Sequence, residues 1–214
     1  MKQREFYQQN LSGDAFPDGI AEYCQFYHCD FSRADLSEIQ FIHCKFYDER
    51  SSESCSFYRA KLTDASFKHC DLTMADFRHI NALGLEIQDS KVQGADFRGA
   101  SFMNMIGHNS YFCSASLIRN NFSYANFEDV VLEQCELSGN RWSEVNVLGA
   151  KFCGSDLSDG EFHHMDWASA NFTHCNLTGC DLSQLDPRRV DLTGVQISHE
   201  QQSQLLEQLG LIIL

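Results

Sequence analysis

Large apolar side chains recur at every fifth position along almost the whole chain. One run reads Phe6, Leu11, Phe16, Ala21, Phe26, Phe31, Leu36, Phe41 and Phe46; a second steps from Phe57 to Phe102, and a third from Leu117 to Ile197. Nine, ten and seventeen positions make 36, of which only Ala21, Ala82 and Pro187 lack a large apolar group. All 17 Phe fall in phase, counting Phe112 between the second and third runs. A period of five fits neither a helix at 3.6 nor a strand at 2. It predicts an all-β solenoid, a quadrilateral β-helix whose coil has four short sides with one inward anchor each. Every residue then stacks on the one 20 positions later. Nine or so coils at ~4.8 Å make a rod of roughly 40–45 Å.

The position two before each anchor is nearly always small, as at Ala34, Ala60, Ala75, Ala95 and Ala125, which suits a tightly packed square core. Eight of the 10 Cys (Cys24, Cys29, Cys44, Cys55, Cys70, Cys135, Cys175, Cys180) share that position, leaving Cys113 and Cys153 outside it. Cysteine packs there as a small hydrophobe. Asp or Asn often precedes the anchor and Ser or Thr often follows it, short polar groups that hydrogen-bond nearby backbone at corners. Four His-Cys pairs (28–29, 43–44, 69–70, 174–175) suggest zinc by composition. The register turns each Cys inward and its His outward, so no metal site and no cofactor is expected.

The period is interrupted twice. The stretch 47–56, YDERSSESCS, shifts the phase by one residue and reads as a surface loop, because a slipped register would otherwise turn the anchors outward. The stretch 103–113, MNMIGHNSYFC, keeps the phase but puts Gly107 at an anchor position. Candidate partner-contact residues are Tyr47, Asp48, Glu49, Arg50, Ser51, Ser52 and Glu53 in the first loop. In the second they are Met103, Asn104, Met105, Ile106, His108, Asn109, Ser110 and Tyr111. Exposed Met and Tyr are good contact groups, although these could also fold back over the coil. The repeat is expected over 1–197, with a helix and tail over 198–214. In that tail Ser198 is a natural N-cap and Gly210 a natural stop. Leu205, Leu206, Leu209, Leu211, Ile212 and Ile213 offer more apolar surface than an end cap needs, which suits a two-fold dimer interface; an intramolecular cap is the other use.

Charge narrows the partners. With 16 Lys+Arg against 30 Asp+Glu the chain carries −14, which argues against direct nucleic-acid binding and against anionic membranes. Residues 108–214 hold −9 of it. Stacking by 20 sets Asp76 near Asp96, Glu161 near Asp181 and Asp166 near Asp186, rows expected to repel slightly and to present a negative field. No apolar run is long enough to span a bilayer and no signal peptide is evident, so a soluble cytoplasmic protein is expected. Polar groups lining the outside of a rod imply no concave site, and no nucleophile, phosphate-loop or zinc signature appears; no enzymatic activity is expected.

Units such as CDFSR (29–33), CDLTM (70–74), ADFRG (95–99), ANFTH (170–174) and VDLTG (190–194) resemble the pentapeptide-repeat family. That likeness implies a right-handed quadrilateral β-helix. Stretches the repeat does not demand, ADFRGASFMNMI (95–106), YFCSA (111–115), LDPRRVDLTGV (185–195) and EQLGLIIL (207–214), resemble the Qnr quinolone-resistance proteins over essentially the full length. The resemblance implies a homodimer that binds DNA gyrase and topoisomerase IV and protects them from fluoroquinolones by destabilising the drug-trapped cleavage complex. Two other readings fit the residues: a DNA-mimic topoisomerase inhibitor, from the acidic second half, and an interaction scaffold with an unrelated partner.

Overall fold

The computed structural model describes residues 1–108 and 110–212. The chain winds as a four-sided solenoid in which parallel backbone bridges join residues 20 apart, as in Asn10↔Asp30, Asp76↔Asp96 and Glu136↔Asp156. Where bridging is regular enough to form strands, these are β1 Glu5–Tyr7, β2 Ile20–Glu22, β3 Gln25–Tyr27, β4 Gln40–Ile42, β5 Tyr47–Asp48, β6 Glu53–Ser54, β7 Ser66–Lys68 and β8 Leu85–Gln88. β9 Met103–Gly107, β10 Ser110–Cys113 and β11 Ala115–Ile118 follow, and the one α-helix among the described residues is α1, Gln202–Gln208. One side of the solenoid is a parallel sheet in the order β11-β8-β7-β4-β2.

Register in that sheet measures the two interruptions directly. Ile20 pairs with Gln40 and Ser66 with Glu86, both 20 apart; Gln40 pairs with Ser66, 26 apart, and Leu85 with Ala115, 30 apart. The first insertion is therefore six residues and the second ten. Six is one more than a repeat and slips the phase; ten is two whole repeats and leaves it intact.

The core is built by the five-residue period. Within a column the Phe rings lie face to face, Phe26 on Phe46 at 4.8 Å, Phe31 on Phe57 at 4.9 Å and Phe41 on Phe67 at 4.9 Å. Between columns they meet edge-on, as Phe41 does Phe46 at 5.3 Å and 79°. Both arrangements are favoured by the ring quadrupole, so the square interior satisfies each ring on face and edge together. Phe112 departs from the expected lattice: it is 42% exposed, because positions 103–113 leave the coil and their agreement in phase is a by-product of insertion length.

Two further expectations need correction. The position two before the anchor, expected to be nearly always small, also takes asparagine and hydrogen-bonding groups. Ser90, Asn120 and Asn140 occupy it in one column and are buried. Their side chains form a ladder: Cys70 N–H donates to Ser90 Oγ (2.9 Å), Ser90 N–H to Asn120 Oδ1 (3.0 Å) and Asn120 N–H to Asn140 Oδ1 (2.7 Å). Each Asn amide also donates to core-facing carbonyls, so no polar atom of the ladder is left bare. Trp142 beside it fares differently, its buried Nε1–H meeting no acceptor. The tightest corner geometry, secondly, does not fall on the Asp/Asn and Ser/Thr flanking the anchor. It falls two residues after the anchor, where Arg33, Glu38, His43, Arg59, Met74 and many others adopt left-handed φ, +53 to +63° in these five. The expected Asx contacts are present beside it: Asp30 Oδ1 accepts from Ser32 N–H (2.8 Å), and Asp191 Oδ1 from Thr193 N–H (3.0 Å). The N–H of most left-handed residues on the coil donates to a carbonyl of the next coil, Arg33 to Tyr58 O at 2.9 Å, so the ladder compensates the local cost.

The end of the rod is closed by glutamines. Ser198 and Gln201 form a capping box before α1, and the buried Gln201 amide donates to Leu177 O and Cys180 O, both at 2.8 Å. Gln204 Oε1 accepts from Leu182 N–H (2.8 Å), and Gly210 at φ +82° ends the helix.

Candidate functional site

The two insertions fold as antiparallel hairpins. β5 pairs β6 through Tyr47↔Ser54 and Asp48↔Glu53; β9 pairs β10 from Met103↔Cys113 to Gly107↔Ser110, with a bulge between Ser110 and Tyr111. The first leaves the coil after Phe46, in the column of Phe26 and Leu72. The second leaves after Phe102, in the column of Leu36, Leu62 and Ala82, whose flanking residues bridge Asp35↔Lys61↔Asn81↔Ser101. Those columns are two sides apart, so the hairpins stand on diagonally opposite corners.

The first hairpin is short and polar. Its turn is held by Asp48, whose Oδ1 accepts from Arg50 N–H (3.0 Å) and whose backbone O accepts from Ser52 N–H (2.9 Å). The Arg50 amide, with help from His28 and Ser51, holds the Asp48 carboxyl below its ordinary range. Glu49, Arg50, Ser51, Ser52 and Glu53 are exposed, while Tyr47 and Asp48 are half-buried at the base. A groove of about 450 Å³ separates this hairpin from the first coils. Its floor carries Tyr7 and Tyr27, stacked at 4.9 Å, with Glu5, Gln25 and Lys45 alongside. These groups were absent from the candidate residues above. The signal for them is a Phe-Tyr pair repeating at 6–7, 26–27 and 46–47.

The second hairpin is longer and apolar. Met105 and Ile106 are 58% and 72% exposed, Tyr111 and Phe112 partly so, and Asn104, His108 and Ser110 exposed; Met103 is half-buried at the base, and Asn109 lies outside the described residues. Met105 and Ile106 project outward, whereas Tyr111 and Phe112 line a groove against Glu133, Gln134 and Cys153 of the rod. It is tied to the rod chiefly at its base and by Tyr111, whose Oη–H donates to Glu133 Oε2 at 2.9 Å, which pushes the phenol above its ordinary value, while the Cys113 thiol makes a long contact to Val131 O (3.9 Å).

At the far end, α1 and the chain after it leave Leu206, Leu209, Leu211 and Ile212 exposed, Ile212 at 87%, with Leu205 half-buried; Ile213 lies outside the described residues. The acidic rows are not bare, contrary to expectation. Arg78 bonds Asp76 (2.8 Å) and reaches Asp96 (3.8 Å), Arg98 bonds Asp96 (2.7 Å), Arg141 bonds Glu161 (2.7 Å) and Arg188 bonds Asp186 (2.9 Å). Stacked carboxylates are thus interleaved with guanidinium groups. The cysteines of the four His-Cys pairs are buried, their histidines lie on the left-handed corners, and among the described residues no His, Cys, Asp and Glu group is arranged to hold a metal ion. No described helix is long and apolar enough to cross a membrane.

Stacked five-residue sides with small inward positions and Asx-braced corners define the class. The family model for pentapeptide repeats matches residues 55–99, 121–159 and 170–199, in 8 copies, and the chain belongs to this family, whose fold is a right-handed β-helix. Within it the chain groups with Qnr proteins. It is 55% identical over 144 residues to the pentapeptide repeat protein QnrB4 of Escherichia coli, 67% of each chain. It is likewise 55% identical over 140 residues to the quinolone resistance pentapeptide repeat protein QnrB96 of Scandinavium goeteborgense, 65% of each. The solved structure of full-length QnrB1, described as a plasmid-mediated fluoroquinolone resistance protein, superposes with a TM-score of 0.95 at 53% identity, covering 99% of both chains.

Proposed function

We propose that this protein confers quinolone resistance by binding DNA gyrase and topoisomerase IV in the cytoplasm and disfavouring the drug-trapped cleavage complex, with no chemistry of its own. The observation that carries the reading is the full-length likeness to QnrB1, which extends through both hairpins and the tail. The hairpins are the docking elements. Met105, Ile106, Tyr111 and Phe112 supply apolar anchors of the kind that dominate interfaces, and the first hairpin supplies a polar contact rimmed by tyrosines. Leu206, Leu209, Leu211 and Ile212, left outside while the glutamines close the coil, join two copies end to end as a homodimer.

DNA supercoiling by purified gyrase in the presence of ciprofloxacin, across a titration of this protein, tests the reading. Restored supercoiling supports it. Inhibition without rescue replaces it with the DNA-mimic account, and no effect in either direction removes both.

A further inference from the structure

His28 sits on the corner of the second coil, one tier below Asp48, because the two lie 20 apart in the same column. Its ring touches both strands of the first hairpin. Nε2 lies 3.2 Å from Asp48 Oδ2 on β5, and Nδ1 lies 2.7 Å from Glu53 Oε2 on β6. Ser51 Oγ is 3.3 Å from the same Nε2. His28 and Asp48 are only 25% and 17% exposed, whereas Glu53 is 67% exposed. Among the described residues no other side chain outside the hairpin bonds both of its strands.

Ionised carboxylates only accept hydrogen bonds, so two carboxylates on one imidazole require both ring nitrogens to donate. That is the imidazolium. A neutral ring has one N–H, and whichever contact loses the proton sets a lone pair against a lone pair. We propose that His28 is the positioning residue of the first hairpin, holding β5 and β6 together against the rod as the imidazolium and releasing one strand when neutral. Its part in docking rests on the function proposed above; the clasp itself does not. Beside the two carboxylates the ring meets the Ser51 hydroxyl, which can donate or accept; the neighbouring Cys29 thiol points into the core and donates to Tyr27 O. The Arg50 amide braces Asp48 from the hairpin side, at 3.0 Å to Oδ1, and is indifferent to pH. The sign follows: the clasp is complete while the ring is protonated and is lost once it is neutral.

Hydrogen exchange of the full-length protein between pH 5.5 and 8.5 tests this, read as protection of the amides over 49–54 relative to their intrinsic rates. Protection is expected to fall about tenfold as the ring deprotonates, the factor set by one charge-assisted hydrogen bond. In His28→Gln, which cannot donate twice, protection is low and flat with pH. In His28→Arg, which donates twice at every pH, it is high and flat. Protection in the second hairpin stays constant throughout and reports that each variant is folded. Flat protection in the unsubstituted protein, or a His28→Gln that matches it at low pH, overturns the clasp. Affinity for gyrase over the same range should follow the hairpin, falling with pH in the unsubstituted protein relative to His28→Arg. If exchange responds while gyrase is bound at no pH, the clasp stands and the proposed function fails.

Discussion

The two hairpins solve the same problem by opposite means. The first is six residues inserted at a corner, polar, tied through Asp48, Glu53 and His28 to the coil beneath. The second is ten residues, apolar at its tip, tied to the rod mainly by the phenol-carboxylate bond from Tyr111 to Glu133. A short polar loop needs internal bonds to hold a shape, because it has no hydrophobic contact to define one. A longer ladder of paired strands holds its own backbone and can leave Met105 and Ile106 to solvent. The contrast implies a division of labour: orientation from the first, contact area from the second.

The largest effect separates two phenylalanines that share a phase and nothing else. Phe57, fully buried and stacked on Phe31 and Phe77, should cost about 3–5 kcal/mol when replaced by Ala, and Phe112→Ala under about 1 kcal/mol, both read by chemical denaturation. Equal costs would put Phe112 in the core and undo the hairpin. Next, Met105→Ser with Ile106→Ser should weaken gyrase binding about tenfold or more at unchanged stability and with little salt dependence, whereas Glu49→Gln should alter mainly the salt dependence. A purely electrostatic dependence on the second hairpin would break the division.

Proton titration sharpens it further. The Asp48 carboxyl is depressed when folded, so its contribution is present above its unfolded value and is lost as pH falls through the folded one. The Tyr111 phenol is raised when folded, so its contribution is present below its unfolded value and is lost as pH rises through the folded one. Limited proteolysis should find the first hairpin opened at the acid extreme, where Asp48 is protonated, as well as when His28 is neutral, and the second opened by alkali alone. The smallest effect is Tyr111→Phe, a few tenths of a kcal/mol in stability for an exposed bond, with the alkaline opening abolished.

The fold was legible because burial writes itself as spacing: anchors at five, small groups two before, Asx corners beside. Arithmetic modulo five also set what could be read of the insertions. Six residues slipped the phase and announced a loop, while ten hid two whole repeats and left Gly107 and Phe112 posing as anchors. The polar ladder escaped because Asn120 and Asn140 fill a small site by bonding core-facing carbonyls, which no volume rule anticipates. The acidic rows misled for a related reason. Arg141 stands 20 before Glu161, but Arg78, Arg98 and Arg188 each follow their Asp by two, a local pairing that stacking by 20 does not reveal. His28 was visible only as half of a His-Cys pair. Its second carboxylate comes from Glu53, which a hairpin and not a column brings near.

A flat body laid against a square rod meets one side, or one corner and its two neighbouring sides. Diagonally opposite corners are never in reach of such a body together. Any single partner that engages both hairpins therefore has to enclose the rod, presenting a cleft or two arms; otherwise each rod is shared between two bodies, one per hairpin. Stoichiometry and the shape of the receiving surface thus follow from which column each insertion interrupts. Moving the second insertion by ten residues would place both hairpins on one corner and admit a partner with a plain face.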